Sequence, residues 1–242
     1  MTKRPVLFKD CNVMKIFLTL HGLGTPSRDV DAGERPFWID VDRFRRIVAL
    51  ARGHANAVRL TFDDGNVSDV EIALPALLEA GLKASFFFST DFIGRPGFAD
   101  EDDIRKLAAA GMEIGSHGSR HVSWRDMSGD EIAEDVIRSF ARLETILDKR
   151  ISVVAPPFGE CNLHVVQILR KLGIKRVYSG FPGPSRAGDW LVRRMAVTAA
   201  APWPRVESWL TEPHTWFGWA AKSAAAARTV GHAVFWDAPK RP

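Results

Sequence analysis

Two adjacent carboxylates follow a short apolar segment near residue 60. Residues 57–60 have the composition of a buried strand, and Asp63 and Asp64 stand just beyond it, before Gly65. Neighbouring side chains of a regular strand point to opposite faces, so both carboxylates can face one cavity only where the backbone turns. Gly65 supplies the freedom for that turn. Because Asp-Gly is also a common surface turn, the pair acquires a chemical meaning only together with other residues.

Two histidines supply those partners. His117 and His121 lie four positions apart after another apolar segment, so on a helical turn both imidazoles would project from one face. A pair of this kind often has a solvated or capping role. With Asp64, however, it predicts a site for one divalent transition metal, zinc above all. Catalytic zinc takes three protein ligands and keeps a fourth position open for water.

Asp63 then has a role as general base. A metal lowers the pKa of its bound water, and a second carboxylate beside it can accept the proton. The attack on an acyl carbon creates an oxyanion, which needs hydrogen-bond donors. We expect the metal and one backbone N–H of a single loop to supply them, and that loop consists of Pro157, Phe158 and Gly159.

His21 is the candidate general acid that protonates the departing amine. It ends the apolar segment 15–20, at the same kind of position as the two carboxylates. The alternative interpretation is a core histidine that caps a strand.

Apolar segments and amphipathic segments alternate along the chain. We predict strands at residues 15–20, 57–60, 84–88, 112–115, 151–154, 174–178, 191–197 and 234–236. We predict helices at residues 42–52, 68–80, 100–110, 128–148, 161–172 and 203–228. This alternation favours a parallel sheet with right-handed crossovers. We expect an α/β fold, an irregular (β/α) barrel of about seven parallel strands, as a single domain over residues 15–242 after a poorly patterned extension, residues 1–14.

The polar clusters all follow predicted strands. In a parallel barrel, the carboxyl ends of the strands form the face on which active sites are built. His21, the Asp63–Asp64 pair, the two histidines and the loop 157–159 should therefore share one rim.

Composition excludes several classes of protein. The net charge of +4 is mild, and the basic residues form only isolated pairs, which argues against a nucleic-acid partner. Two cysteines make no disulfide framework. The first apolar run is too short for a signal peptide, and no segment has the length and apolarity of a membrane span. We expect a bacterial cytoplasmic protein, in the cytosol or at the inner face of the membrane.

Three segments together resemble motifs of the polysaccharide deacetylases of the NodB-homology type, a carbohydrate esterase family. They are residues 61–65, 116–121 and 155–159, and the likeness covers roughly residues 15–200. The first motif resembles one in which the first Asp is the base and the second a metal ligand. The second is similar to a motif with two metal-binding histidines, and the third to a groove wall with a backbone oxyanion donor. The resemblance implies a deformed barrel and metal-dependent hydrolysis of an N-acetyl group on an amino sugar.

The sequence also departs from the family pattern. The third motif commonly begins with an Arg that holds the base, but Ala155 stands there. The last motif, Leu-x-His, has no match near residues 234–237, whereas residues 18–22, with His21, look like that motif moved to the front. Circularly permuted members show this order and also tend to have Ala in place of the Arg. Trp190 and Arg194, or its neighbour Arg193, fall where the family has groove-lining residues.

The predicted function is N-deacetylation of a precursor of a cell-surface polysaccharide or glycolipid, linked to a nucleotide or a lipid. One alternative keeps the chemistry and changes the acyl group: a deformylase or another small-amide hydrolase. The other is a carbohydrate-binding protein without turnover, suggested by the missing Arg and the missing C-terminal His.

Overall fold

The computed structural model describes residues 14–211. Its strands are β1 Met14–Leu20, β2 Val58–Phe62, β3 Ala84–Phe88, β4 Glu113–Ser116, β5 Val153–Val154, β6 Arg176–Ser179, β7 Ser185–Arg186, β8 Leu191–Arg193 and β9 Met195–Ala196. Its α-helices are α1 Val41–Gly53, α2 Leu74–Ala80, α3 Glu101–Ala109, α4 Gly129–Leu147, α5 Leu163–Lys171 and α6 Trp203–Thr211. The predicted strand 234–236, the predicted helix beyond residue 211 and residues 1–13 of the predicted extension lie outside the described residues.

The strands form a nearly closed barrel. β1 to β6 pair in parallel in chain order, and β8 continues the sheet beside β6. β9 follows β8 after one residue, Arg194, and pairs in parallel with β1. β8 and β9 together therefore occupy the seventh position and close the ring, while β7 adds a short antiparallel pairing to β1. This confirms the predicted irregular barrel of about seven parallel strands.

Successive side chains of the strands point alternately outwards and inwards, and this produces two apolar layers. In β3, Phe86 and Phe88 belong to the large cluster between the strands and the helices, whereas Phe87 belongs to a small cluster inside the barrel with Phe17 and Tyr178. Side chains of a strand alternate between its two faces, so a run of three phenylalanines fills both layers. The lumen is thus packed with side chains and is not a channel.

The helices begin where the sequence predicts. Ser128 and Glu131 form the predicted capping box at the start of α4, each side chain accepting the backbone N–H of the other. The predicted helix 68–80 is divided in the structure into a π-helical turn at residues 69–73 and α2. Within residues 14–211, the helices all lack the combination of length and apolarity needed to cross a bilayer.

Gly65 is required by the turn that ends β2. Its φ is +79°, and a Cβ there would lie 2.4 Å from Cδ1 of Phe88. Both the left-handed backbone and the close approach of the ring therefore demand glycine.

We expect Gly65→Ala to lower the free energy of unfolding by about 3 kcal/mol, from backbone strain and overpacking together. Two matched substitutions separate these causes. Gly81→Ala, at φ +66° with open space around it, should cost about 1 kcal/mol, and Gly53→Ala, with open space and no positive φ, should stabilise α1 slightly. Urea unfolding measures all three. Equal effects at residues 65 and 81 would contradict the packing contribution.

Candidate metal and catalytic site

Three predicted ligands converge at the carboxyl ends of β2 and β4. Asp64 follows β2 with a left-handed φ of +78°, which directs its carboxylate away from the strand. One ligand atom each from Asp64, His117 and His121 lies within 4.8 Å of the others. Asp64 and His117 are buried, and the side chain of His121 is 22% exposed, so the cluster opens to solvent beside His121.

The three residues fit a divalent metal ion. Oδ1 of Asp64 lies 3.4 Å from Nε2 of His117 and 3.1 Å from Nε2 of His121, yet it is buried without a hydrogen-bond partner in the described residues. Ligand atoms about 2.1 Å from a tetrahedral metal are separated by about 3.4 Å, which matches this spacing. Nδ1 of His117 lies 2.8 Å from the carbonyl of Ala155, so Nε2 is the nitrogen turned towards the cluster.

Each of these charged residues shifts the pKa of its neighbours. Burial opposes ionisation of Asp64, but His121 and His117 outweigh it and hold the pKa of this carboxyl well below its usual value. Burial likewise lowers the pKa of His117, and the carboxylates of Asp63 and Asp64 outweigh it, so the pKa is raised. The pocket therefore favours cationic charge next to Asp64.

The helical turn predicted for the two histidines is not present. Residues 117–121 form an irregular segment in which Gly118 and His121 have φ of +74° and +54°. Two left-handed residues fold the segment back on itself. The imidazoles meet because of this compact loop, with ring centroids 5.1 Å apart, and not because of helical periodicity.

Asp135 holds that loop in place. This buried carboxylate on α4 accepts the N–H and the hydroxyl of Ser119, at 3.1 and 2.8 Å, and Nε1 of Trp124 at 3.0 Å. Burial raises the pKa of Asp135, but the hydrogen bonds from Ser119 and Trp124 outweigh it, and the pKa is lowered. Sequence reasoning missed Asp135, since on its helix it looks like any acidic residue.

Asp63 forms a bidentate ion pair with Arg194. Nη1 and Nη2 of Arg194 lie 2.7 and 2.8 Å from the two carboxylate oxygens, and both residues are 2% exposed. Nη1 also donates to the hydroxyl of Thr61, and Nε to the carbonyl of Ser179. Burial raises the pKa of Asp63, but the guanidinium outweighs it and the pKa is lowered, so the carboxylate stays ionised.

This pairing corrects the predicted role of Arg194. We expected it to line a substrate groove, whereas the structure buries it behind Asp63. It also shows what orients Asp63 in the absence of an Arg at position 155. Ala155 is buried, and its carbonyl oxygen instead lies within hydrogen-bond distance of Nδ1 of His117.

His21 follows β1 on the same rim as the carboxylates. Its ring centroid lies 4.7 Å from that of Phe37, and Nδ1 is buried without a hydrogen-bond partner in the described residues. Burial lowers the pKa of His21, and the charges of Asp64 and Asp63 offset part of that effect. The structure thus places His21 in the electrostatic field of both carboxylates, where a neutral imidazole is favoured.

Asp69 is a third acidic group near the site, which sequence reasoning did not select. It lies on the π-helical turn, is fully buried, and neither carboxylate oxygen has a hydrogen-bond partner in residues 14–211. Burial and the charges of Asp64 and Asp63 raise its pKa well above the usual value, which favours the neutral form of Asp69.

The loop 157–159 stands beside the cluster as predicted. The ring of Phe158 is 49% exposed and its centroid lies 4.6 Å from that of His121. Pro157 has no N–H, and the N–H of Gly159 donates to the carbonyl of Pro156 at 2.9 Å. The Gly159 donor is therefore already used, and the loop brings the ring of Phe158 next to His121.

Trp190 does not belong to the site, and its predicted groove-lining role is wrong. It precedes β8, and in a parallel barrel the residue before a strand lies at the amino pole, opposite the carboxyl-end rim. Its Nε1 donates to the carbonyl of Ile174 at 2.7 Å, and Arg170 lies 4.2 Å from its ring. Trp190 packs the barrel wall.

Comparison with known proteins identifies related chains. Residues 51–177, just over half of the chain, match the family model described as polysaccharide deacetylase. The protein YxkH of Bacillus subtilis is 24% identical over 143 residues, which cover 58% of this chain and 51% of YxkH. A chitin deacetylase of Pestalotiopsis is 28% identical over 118 residues, 49% of this chain and 39% of that enzyme. The chain thus spans about half or less of the curated relatives it matches.

Solved structures share the fold. A Streptococcus pyogenes deacetylase, PplD, in complex with acetate superposes with a TM-score of 0.69 at 19% identity, covering 83% of this chain and 99% of that chain. At this identity the likeness concerns the arrangement of strands and helices, and it agrees with the nearly closed barrel.

The two buried carboxyls should respond differently to the same substitution. Asp63→Asn leaves the buried guanidinium of Arg194 without its counter-charge and should cost about 3 kcal/mol of unfolding free energy. Asp69→Asn exchanges one neutral polar group for another and should cost less than about 1 kcal/mol. Urea unfolding at neutral pH with a chelator present measures both. A cost at residue 69 equal to that at residue 63 would contradict the charge states assigned to them.

Proposed function

Because this chain belongs to the polysaccharide deacetylase family, we propose that it hydrolyses the N-acetyl group of an amino sugar with the help of one divalent metal ion. The observation that carries the proposal is the convergence of Asp64, His117 and His121 beside a second carboxylate, Asp63, that a buried arginine holds ionised. Both curated relatives align with this chain over segments of more than one hundred residues, and one of them is described as a chitin deacetylase.

Asp64, His117 and His121 would hold the metal, and zinc suits this donor set. When bound, such an ion acidifies water and polarises an acyl oxygen. Other groups of the protein position these ligands. The hydrogen bond to the Ala155 carbonyl sets the tautomer of His117. Asp135 accepts the Ser119 hydroxyl and so stabilises the segment that carries His121.

Asp63 is the proposed general base. The bidentate contact with Arg194 holds its carboxylate in one orientation and lowers its pKa, so the group is ionised and ready to accept a proton from the attacking water. The water oxygen adds to the acyl carbon, and the carbonyl oxygen becomes the oxyanion. One backbone N–H of the loop 157–159 is the proposed protein donor to that oxyanion, and a metal held by Asp64, His117 and His121 would add to its stabilisation.

His21 is the proposed general acid. Breaking the C–N bond releases acetate and an amine, and the amine nitrogen needs a proton as it departs. Support for His21 comes from its position on the rim after β1. Burial favours the neutral ring, so His21 must take up a proton before it donates, and the charges of Asp64 and Asp63 favour that uptake. The half-exposed ring of Phe158 offers an apolar surface against which a sugar ring can pack.

The substrate that we infer is a cytoplasmic precursor of a cell-surface polysaccharide or glycolipid, linked to a nucleotide or a lipid. The small number of cysteines supports a reducing compartment, and Cys161 is a buried free thiol. We also infer a circularly permuted order of motifs. In support, β1, which carries His21, lies between β2 and β9, and Arg194 supplies the guanidinium that position 155 lacks.

The first test combines elemental analysis with acetate release from N-acetylglucosamine oligomers. We expect about one divalent transition ion per wild-type chain and its loss in His117→Ala, since two remaining ligands hold the ion poorly. Asp63→Asn should keep the ion and lose turnover by a factor of about 100 or more.

Circular dichroism must first show that each variant is folded. Wild-type protein that takes up neither zinc nor cobalt would contradict the metal site and favour a carbohydrate-binding role. Metal uptake with release of formate from formylated sugars, and no acetate from acetylated ones, would instead indicate a deformylase.

The role of His21 predicts a dependence on the leaving group. His21→Ala should slow hydrolysis of acetylated amines by a factor of about 100, because an amine leaves only when protonated. Hydrolysis of p-nitrophenyl acetate should slow by less than about tenfold, since this leaving group needs no proton. The exposed His164, on α5, provides the matched control variant, His164→Ala. Equal losses on the two substrates would assign His21 a structural role.

A further inference from the structure

A cavity of about 220 Å³ lies at the amino pole of the barrel, opposite the carboxyl-end rim. The first residues of β1, β2, β3, β4 and β6, or those just before them, line it. Phe17 and Tyr178, with ring centroids 5.9 Å apart, belong to the lumen cluster and close the cavity towards the barrel interior. The cavity is therefore a separate well and does not continue into the metal site.

The walls of this well are strongly basic. Four cations line it, and Glu113 is the acidic residue among its lining residues. The cations are Lys15, Arg59, Lys83 and Arg176. They come from different strands whose amino ends the parallel barrel gathers at one pole. The formal charge of the well is thus +3, in a protein whose whole sequence carries +4.

Three of these cations have no carboxylate partner in the part of the chain that the structure describes. The ion pairs formed within residues 14–211 do not include Arg59, Lys83 or Arg176, whereas they do include Arg28, Arg105 and Arg142. Their hydrogen bonds go to uncharged groups instead, and backbone carbonyls are prominent among these. Arg59 donates to the carbonyl of Val58 at 2.8 Å, Arg176 to that of Ala187 at 2.7 Å, and Lys83 to that of Ala110.

These backbone contacts hold the cations in place and leave donors for a ligand. A guanidinium has five N–H donors and an ammonium three, so each residue retains several. Glu113, by contrast, is engaged: its Oε2 accepts the hydroxyl of Ser85 at 2.7 Å and that of Tyr178 at 2.8 Å. The well thus presents positioned cationic donors, with hydroxyl groups at its inner end.

We propose that the amino-pole well binds a phosphate ester through Arg59, Lys83 and Arg176. Arginine forks match the oxygen pairs of a phosphate, and lysine adds a point charge. A cavity of 220 Å³ is larger than a phosphate group needs, so the hydroxyl-bearing part of an ester can lie next to Ser85 and Glu113. A soluble phosphate ester and a lipid headgroup share this chemistry. The proposal is independent of deacetylation, which belongs to the other pole.

Tyr178 is a site-specific reporter, because it is the one tyrosine of the whole sequence. Protein labelled with 3-fluorotyrosine should give one ¹⁹F signal from the end of the well. Addition of glycerol 3-phosphate at constant ionic strength should shift this signal saturably. The double variant Arg59→Gln/Arg176→Gln should bind at least about tenfold more weakly.

Two further variants make the result decisive. Arg45→Gln, an exposed arginine of α1, should behave as wild type. Lys83→Gln, at an exposed position that does not endanger folding, should weaken binding several-fold even if the double variant is unstable. A signal that moves in Lys83→Gln and in the folded double variant just as it does in the wild type overturns the proposal.

Co-sedimentation with vesicles distinguishes the two sources of phosphate. Binding to phosphatidylglycerol vesicles but not to phosphatidylcholine vesicles, lost in Lys83→Gln, would identify a lipid headgroup. A saturable ¹⁹F shift without vesicle binding would identify a soluble phosphate ester. The absence of both overturns the phosphate site.

Discussion

The ion pair between Asp63 and Arg194 links the chemistry of this protein to the closure of its barrel. The two residues are 131 positions apart, and both are almost fully buried. Arg194 occupies the single position between β8 and β9, where the chain passes from the side of β6 to the side of β1. Because a buried guanidinium needs a matched counter-charge, the pair ties β2 to the seventh strand position across β1, which lies between them.

Local sequence patterns contain most of the fold. Except for the short strand β7, which was not predicted, the strands and α-helices between residues 14 and 211 lie within a few residues of their predicted positions, since alternation, caps and glycine stops are local signals. The ligand set is also a local matter: Asp64 and the two histidines stand in short motifs at strand ends. The backbone conformation around the two histidines could not be predicted from the sequence. The left-handed residues Gly118 and His121 replace the expected helical turn, and no periodicity in the sequence indicates that loop.

The partners of the site residues could not be predicted in the same way. Arg194 and Asp135 are single charged residues within ordinary segments, and only the folded barrel shows that one holds Asp63 and the other holds the histidine loop. Trp190 illustrates the opposite error. Trp190 is only four residues before Arg194 along the chain. Because β8 lies between them, the two residues are at opposite poles of the barrel. Chain proximity does not determine on which end of a strand a side chain lies.

The position of Arg194 has a consequence for the protein during synthesis. The candidate ligands Asp64, His117 and His121 all precede residue 122, so a chain that is still being translated contains the whole candidate metal-binding set long before residue 194 emerges. Until then, Asp63 has no guanidinium to hold it. Metal capture can thus precede the assembly of a competent base, and the nascent chain becomes a potential hydrolase only when its last barrel strand docks between β6 and β1.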